Sequence, residues 1–158
     1  MKSFTNVQGS AKPKPLVADF SCVWLHTAPT IDDEGNYVYD EVQLTMEEYA
    51  EFQENGSVEG LDSEFVSRYN EYVTTCLAED YRIERDKRIA ATDWTQLLDA
   101  PISDTSREEV RVYRQALRDV PQQEGFPHEI TWPDIPAVVK GVSDPVDTAF
   151  NTLLGGNT

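Results

Sequence analysis

Residues 103–121 read SDTSREEVRVYRQALRDVP and contain the helical pattern that decides the fold of the C-terminal half. Apolar side chains recur there at the spacing of one helix face, at Val110, Tyr113, Leu117 and Val120. Pro121 stops the helix because proline cannot continue the backbone hydrogen bonding. The pattern predicts an amphipathic helix over 103–120, in which Ser106 and Glu109 form a capping box at the start.

A second helical stretch lies upstream of this one. Residues 63–92 contain neither glycine nor proline, and apolar side chains follow helical steps at Val66, Tyr69, Val73 and Cys76. The stripe weakens near Asp80, so the pattern allows one long helix or two nearly collinear ones. Pro101 interrupts the connector at 92–102. Because helices joined by about ten residues are usually antiparallel neighbours, 82–92 and 103–120 predict a helical hairpin.

The segment after the hairpin, GFPHEITWPDIP at 125–136, contains three prolines and is expected to be extended. It is too apolar for a solvated linker, so we expect it to fold back over the helices, anchored by Phe126, Ile130 and Trp132. Further along, Asp144 and Pro145 are typical of a helix start. The short amphipathic helix that they predict needs a groove on this protein or on another one.

The N-terminal third has the patterns of β structure. Residues 1–15 are polar and contain three chain breakers, which predicts a flexible arm. Alternation over 16–25 predicts one strand whose buried face carries Leu16, Ala18, Phe20, Cys22 and Trp24. Two shorter strands are expected at 30–32 and 37–42. A helix follows at 45–55, with a capping box of Thr45 and Glu48 and with Gly56 at its end.

Together these patterns predict an α+β protein. A small N-terminal antiparallel β unit comes first, and a mainly helical chain follows, with a C-terminal helical hairpin and an extended Trp/Pro-rich tail. The predicted organisation is a flexible arm at 1–15, the β unit at 16–44, a helical segment at 45–81, the hairpin at 82–136, and a linker with a short amphipathic helix at 137–158. The apolar seam of the long helix leaves a homo-oligomer open.

The amino-acid composition limits which classes of partner we expect. The chain has 29 acidic and 13 basic residues among 158, a formal charge of −16. That charge repels phosphate backbones and anionic lipids, so we expect neither a nucleic-acid nor a membrane partner. No apolar run approaches the ~20 residues that span a bilayer, and no apolar segment typical of a signal peptide follows the N-terminus. Cys22 and Cys76 are expected to be free thiols in a reducing cytosol.

The chemistry of catalytic and metal sites is not evident in the sequence. His26 and His128 have no partner at metal-ligand spacing. An EF-hand loop counted from Asp32 would place Tyr37 at the glycine position and Gln43 at the bidentate glutamate position. No glycine-rich phosphate loop or nucleophile elbow occurs. We therefore expect no enzyme activity, no catalytic residue, no cofactor and no metal.

Aromatic side chains are concentrated around the predicted hairpin. Trp94, Tyr113, Phe126 and Trp132 fall within about forty residues. They form the core of a small domain, or some of them line a groove for a partner, because Trp and Tyr are preferred interface anchors. The candidate partner-binding residues are Trp94, Tyr113, Phe126, Trp132, Phe150, Leu153 and Leu154.

Two motifs in the hairpin region carry a family resemblance. They are RDKRIAATDWTQLLDAPIS at 85–103 and YRQALRDVPQQEGFPHEITWPDIP at 113–136. In order and spacing they resemble the C-terminal domain of the phage tail assembly chaperone family, which is similar to tail-fibre assembly proteins. The matching positions are Arg85, Arg88, Thr92, Asp93, Trp94, Thr95, Asp99, Pro101, Tyr113, Arg114, Leu117, Arg118, Pro121, Phe126, Pro127, Trp132, Pro133 and Pro136.

The resemblance implies a non-enzymatic helper of tail or fibre assembly, with a phage tail or tail-fibre protein as partner. It implies action in the cytoplasm of the bacterial host during assembly. A virion structural component, such as a fibre-, baseplate- or neck-associated adaptor, is the alternative, and the chain would then be retained in the tail. The resemblance covers about a third of the chain and leaves the roles of 1–44 and 137–158 open.

Overall fold

The N-terminal unit, Met1–Leu77, is built on a five-stranded antiparallel sheet in a computed structural model that describes residues 1–140. The strands are β1 (Lys2–Gly9), β2 (Leu16–Ala18), β3 (Cys22–His26), β4 (Thr30–Ile31) and β5 (Tyr37–Thr45). Their order in the sheet is β1-β5-β3-β2, and β4 also pairs with β5. The predicted strands at 30–32 and 37–42 are therefore confirmed, and the second one extends to Thr45.

The flexible arm expected at 1–15 is wrong for most of its length, because β1 pairs with β5 along Lys2–Gly9. The strand is irregular where the register shifts between Phe4 and Val7, and Asn6 has a φ of 55°. Six of its eight side chains are exposed. Main-chain hydrogen bonds, which do not depend on side-chain type, therefore hold this strand, and hydrophobic periodicity could not reveal it.

The single strand expected over 16–25 is also wrong, because the chain turns between β2 and β3. The Asp19 carboxylate accepts hydrogen bonds from the backbone N–H groups of Ser21 and Cys22, at 2.7 and 2.9 Å. These bonds hold the pKa of Asp19 below its usual value. Phe20 lies at the tip and is fully exposed, and the buried apolar side chains of β3 belong to the face opposite to the predicted one, at Val23 and Leu25.

Helix α1, Met46–Asn55, begins and ends where the sequence predicts. Thr45 and Glu48 form the capping box, and Gly56 adopts the left-handed conformation at the C-cap. The apolar face of α1 packs on the sheet through Phe52, which is 8% exposed. The core of this unit is completed by the first part of α2 and consists of Val23, Leu25, Val42, Leu44, Phe52, Val58, Phe65 and Tyr69.

Helix α2, Ser63–Ala90, is one continuous helix, which resolves the alternative left open by the weakened stripe near Asp80. The boundary between the two units falls within it, between Leu77 and Ala78, and the predicted boundary at 81/82 lies four residues later. A short 3₁₀ turn, Asp93–Gln96, follows. None of the helices within residues 1–140 combines the length and apolar character needed to cross a membrane.

Helix α3, Asp104–Asp119, completes the hairpin of the second unit. Its N-cap is Ser103, whose hydroxyl accepts a hydrogen bond from the backbone N–H of Ser106. The capping box predicted for Ser106 and Glu109 is therefore wrong, because the N-cap lies three residues earlier. The apolar stripe is confirmed, because its four members are 0–4% exposed: Val110, Tyr113, Leu117 and Val120. The α+β class, with a helical hairpin after the sheet, is confirmed.

Candidate partner-binding site

The connector between α2 and α3 is organised around two buried threonines. Thr92 and Thr95 are both 0% exposed, although both are polar. The Thr92 hydroxyl donates to the carbonyl of Ile89 at 2.6 Å, and the Thr95 hydroxyl donates to the carbonyl of Thr92 at 2.6 Å. Each of these carbonyls also accepts the backbone N–H of the same threonine at 3.0 Å, so the hydroxyl bonds reinforce the turns of the connector.

Two arginines of α3 donate hydrogen bonds to this connector. Nη1 of Arg114 lies 3.0 Å from the Ile89 carbonyl, 2.5 Å from the Thr92 hydroxyl and 2.7 Å from the Asp93 carboxylate. Arg107 donates to the carbonyl of Thr95 at 2.8 Å. The two arginines are seven residues apart, which is two helical turns, and they lie on one face of α3. The connector is thus fastened to α3 by charged donors, which make stronger hydrogen bonds than neutral ones.

The Trp/Pro-rich tail packs against α2 through its aromatic rings. The Tyr81 ring lies 6.4 Å from the Phe126 ring and 6.2 Å from the Trp132 ring, measured between centroids. Burial raises the pKa of the Tyr81 phenol, and the negative charge of Asp80 raises it further. The predicted folding back of this segment is confirmed for its two aromatic anchors.

Cation–π contacts add to this packing. The Arg88 guanidinium lies 4.4 Å from the Trp132 ring centroid, and Arg82 lies 5.5 Å from that of Phe126. Arg88 also donates to the Glu84 carboxylate at 2.8 Å, and both side chains are less than a fifth exposed. A partly desolvated cation over a tryptophan is worth about 1–2 kcal/mol. The tail is therefore fixed to the helix as part of the unit.

The predicted partner-binding residues have different surroundings. Tyr113 is 4% exposed, and Trp94, Phe126 and Trp132 are half-buried. Among the described residues 1–140, the Trp94 indole nitrogen is the one buried side-chain polar atom without a hydrogen-bond partner. Phe150, Leu153 and Leu154, with the short helix predicted for them, lie outside the described residues.

A surface groove of about 470 Å³ runs between α3 and the tail. One wall is the α3 ridge with Val112 and Ala116, and the other is the segment from Pro133 to Pro136. The ring of Tyr113 also lines it, so this one predicted residue contributes to a concave surface. Val112 is 55% exposed, and the carboxylates on the rim belong to Glu108, Glu109 and Asp134.

Within residues 1–140, no three His, Cys, Asp or Glu side chains come together as a metal site would require. His26 is buried in the first unit, where its ring nitrogens lie 2.6 Å from the Lys14 carbonyl and 3.0 Å from the Glu41 carboxylate. Cys22 and Cys76 are not joined in a disulfide. The geometry of the second unit, with an apolar groove beside a hairpin closed by hydrogen bonds, is suited to binding.

The second unit begins at Ala78, where a match to a known protein family also begins. Residues 78–137 match the model of the phage tail assembly chaperone protein family. Over these residues the C-terminal region is similar to that family. The resemblance predicted for 82–136 is confirmed. Searches of curated proteins and of solved structures found no match to the chain.

The motif residues that carry this resemblance lie mainly in the contacts that close the hairpin. Thr92, Asp93 and Arg114 form one hydrogen-bonded group, and Arg88 and Trp132 form the cation–π pair. The sequence interpretation missed Arg107 and Tyr81 as structural residues. Helical spacing was an available signal, because Arg107 lies seven residues before Arg114 and Tyr81 lies seven residues before Arg88.

Proposed function

We propose that this chain is a bacteriophage tail or tail-fibre assembly chaperone, which binds a tail or fibre protein without catalysis. The observation that carries the proposal is the chaperone-family match at 78–137, which covers the same residues as the closed hairpin with its groove. The side chains of Arg107, Arg114, Thr92 and Thr95 are engaged in hydrogen bonds that hold the connector. The apolar groove with its acidic rim is the concave surface that we assign to a partner.

The charge of the protein supports a role in holding a partner in solution. The first unit, residues 1–77, has 14 acidic and four basic residues, a net charge of −10, and the whole chain has −16. A large net charge keeps a protein and the complexes it forms from self-association. Such a chain acts in the host cell while tails are being assembled.

Co-purification tests this function. A tagged full-length chain, co-expressed with the tail and tail-fibre proteins of the phage, should retain at least one of them through washing. If none is retained, the proposal is wrong.

Mass spectrometry of purified particles then distinguishes the two roles. A chaperone is absent from the mature particle, whereas a virion structural component is present at fixed stoichiometry. The second result would replace the chaperone by an adaptor that uses the same module as a permanent contact.

A further inference from the structure

We propose that the groove between α3 and residues 133–136 binds a short apolar segment of the partner that is flanked by lysine or arginine. The proposal rests on the proposed function and identifies the kind of partner surface that the chaperone domain holds. It is carried by the lining of the groove, by the exposure of Val112 and by the charge of the rim.

The lining of the groove is suited to aliphatic side chains. Val112 and Ala116 lie one helical turn apart on α3, and Pro133 and Ile135 face them from the tail. Most of this wall is rigid, because prolines have a fixed φ and Trp132 next to them is held by Arg88. A preformed apolar groove binds at a smaller entropic cost than a surface that has to be ordered first.

The length of the groove limits what it holds. From Glu108 to Ala116 the α3 wall extends eight residues, or about 12 Å. An extended peptide covers that distance with about four residues. The groove therefore accommodates a short segment that inserts one or two side chains, and a whole protein surface would contact it only through such a segment.

The rim determines the charge of the occupant. Glu109 and Asp134 are both exposed and lie on opposite walls of the groove. A basic residue on either side of the inserted segment would pair with them, and acidic segments would be repelled. The chain's own residues 141–158 contain Asp144 and Asp147 but no lysine or arginine. Their charge has the same sign as the rim, so charge complementarity favours a partner over this segment.

Peptide binding by the full-length chain tests the groove directly. The probes are overlapping fluorescein-labelled peptides covering the tail and tail-fibre proteins of the phage, and fluorescence anisotropy gives the dissociation constant. We expect the tightest peptides to have aliphatic residues between lysines or arginines. Val112→Asp should weaken their binding about tenfold or more. The matched control is Ile83→Asp on α2, at a residue that is 53% exposed but outside the groove, and it should change binding less than about twofold.

A charge-reversal variant provides a second measurement. Glu109→Lys combined with Asp134→Lys should weaken the same peptides, and exchanging their basic flanks for glutamate should restore binding. Circular dichroism melts establish that each variant folds. Equal binding by Val112→Asp and Ile83→Asp, or tight binding of acidic peptides by the unmodified chain, would overturn the groove proposal.

Full-length tail and fibre proteins, tested in parallel, separate the two proposals. If a partner binds the unmodified chain and Val112→Asp equally, the groove proposal fails and the proposed function stands. If no tail or fibre protein binds the unmodified chain, both fail.

Discussion

Arg114 is the residue on which the closed hairpin depends most. Its side chain is 13% exposed, and one nitrogen donates to groups of Ile89, Thr92 and Asp93. We expect Arg114→Ala to lower the free energy of unfolding by about 2 kcal/mol or more, because the variant leaves the buried Thr92 region without its charged donor. Urea unfolding followed by circular dichroism measures this change.

Arg111 is the matched control for Arg114 on the same helix. It pairs with Glu108 at 2.6 Å, but both side chains are more than half exposed. Arg111→Ala should therefore lower the free energy of unfolding by less than about 0.5 kcal/mol. If the two alanine variants were equally stable, the hydrogen-bond network of Arg114 would not be what holds the connector.

Trp94 provides a second test at the residue scale. Its indole nitrogen is buried without a hydrogen-bond partner, which is unfavourable by about 1–3 kcal/mol. Trp94→Phe removes that nitrogen together with part of the ring, so we expect the free energy of unfolding to change by less than about 1 kcal/mol. Trp94→Ala should lower it by about 2–3 kcal/mol. Thermal unfolding of both variants compares them. Equal losses in both would mean that the phenyl ring cannot replace the indole at this position.

The candidate residues also indicate what a sequence can predict about single side chains. Tyr113, Phe126 and Trp132 were identified by type and position, and each of them contacts the hairpin or its groove. Residue type could not separate a core ring from a groove ring, because both are apolar. Tyr81 was missed because it lies where the apolar stripe weakens, and its contacts come from a segment more than forty residues away.

At the scale of elements, α3 carries both a buried apolar stripe and an exposed residue of the groove. Leu117 is 0% exposed and belongs to the buried stripe, whereas Val112 is 55% exposed in the groove. Leu117→Ala should lower the free energy of unfolding by about 2–5 kcal/mol, because it leaves a cavity in the core. Val112→Ala should lower it by less than about 0.5 kcal/mol. Urea denaturation gives both values. A large loss for Val112→Ala would mean that this side chain is part of the core.

Helices were predicted better than strands, for a physical reason. The start of α1 is determined by local contacts of Thr45 with Glu48, which depend on residue type and spacing. Strand β1 depends on pairing with β5, whose partner residues lie 28 to 41 positions further along the chain. The β2–β3 turn depends on hydrogen bonds to the Asp19 carboxylate. The alternating sequence pattern continues through this turn without a change of period, so the pattern could not reveal the turn.

The first unit as a whole should lose stability in acid. Burial raises the pKa of the Asp40 carboxyl, but the hydrogen bond from Arg68 at 2.7 Å, the N–H of Asn6 and the Arg68 charge lower it by more, so the folded pKa lies below the ordinary value. A carboxyl with a lowered pKa binds a proton more readily when unfolded. Its stabilising effect is therefore complete above about pH 4 and is lost as the pH falls through the folded pKa.

Asp40→Asn is the variant that tests this pH dependence. Urea unfolding measured from neutral to acidic pH should show a smaller decrease in stability below about pH 4 for the variant than for the unmodified chain. A residual decrease is expected, because the pKa values of Asp19, Asp32 and Glu48 are lowered too. Identical pH profiles for the two proteins would mean that Asp40 does not contribute to the loss of stability in acid.

At the scale of the whole molecule, the sequence predicted the class of fold and the family resemblance of the C-terminal region, because motifs and periodicity are local properties. The division into units was harder to predict. Helix α2 runs through the boundary between Leu77 and Ala78 without a glycine or proline, and the weaker apolar stripe near Asp80 does not interrupt it. The groove could not be predicted from the sequence either, because its two walls are about twenty residues apart in the chain.

The central claim is that this chain keeps a tail or tail-fibre protein in a state competent for assembly. Its most direct test is the yield of soluble, natively assembled fibre protein when that protein is expressed with and without the full-length chain. We predict that the fibre protein expressed alone is largely insoluble or fails to assemble, and that co-expression restores the native form. Equal yields of native fibre protein in the two cases would contradict the claim.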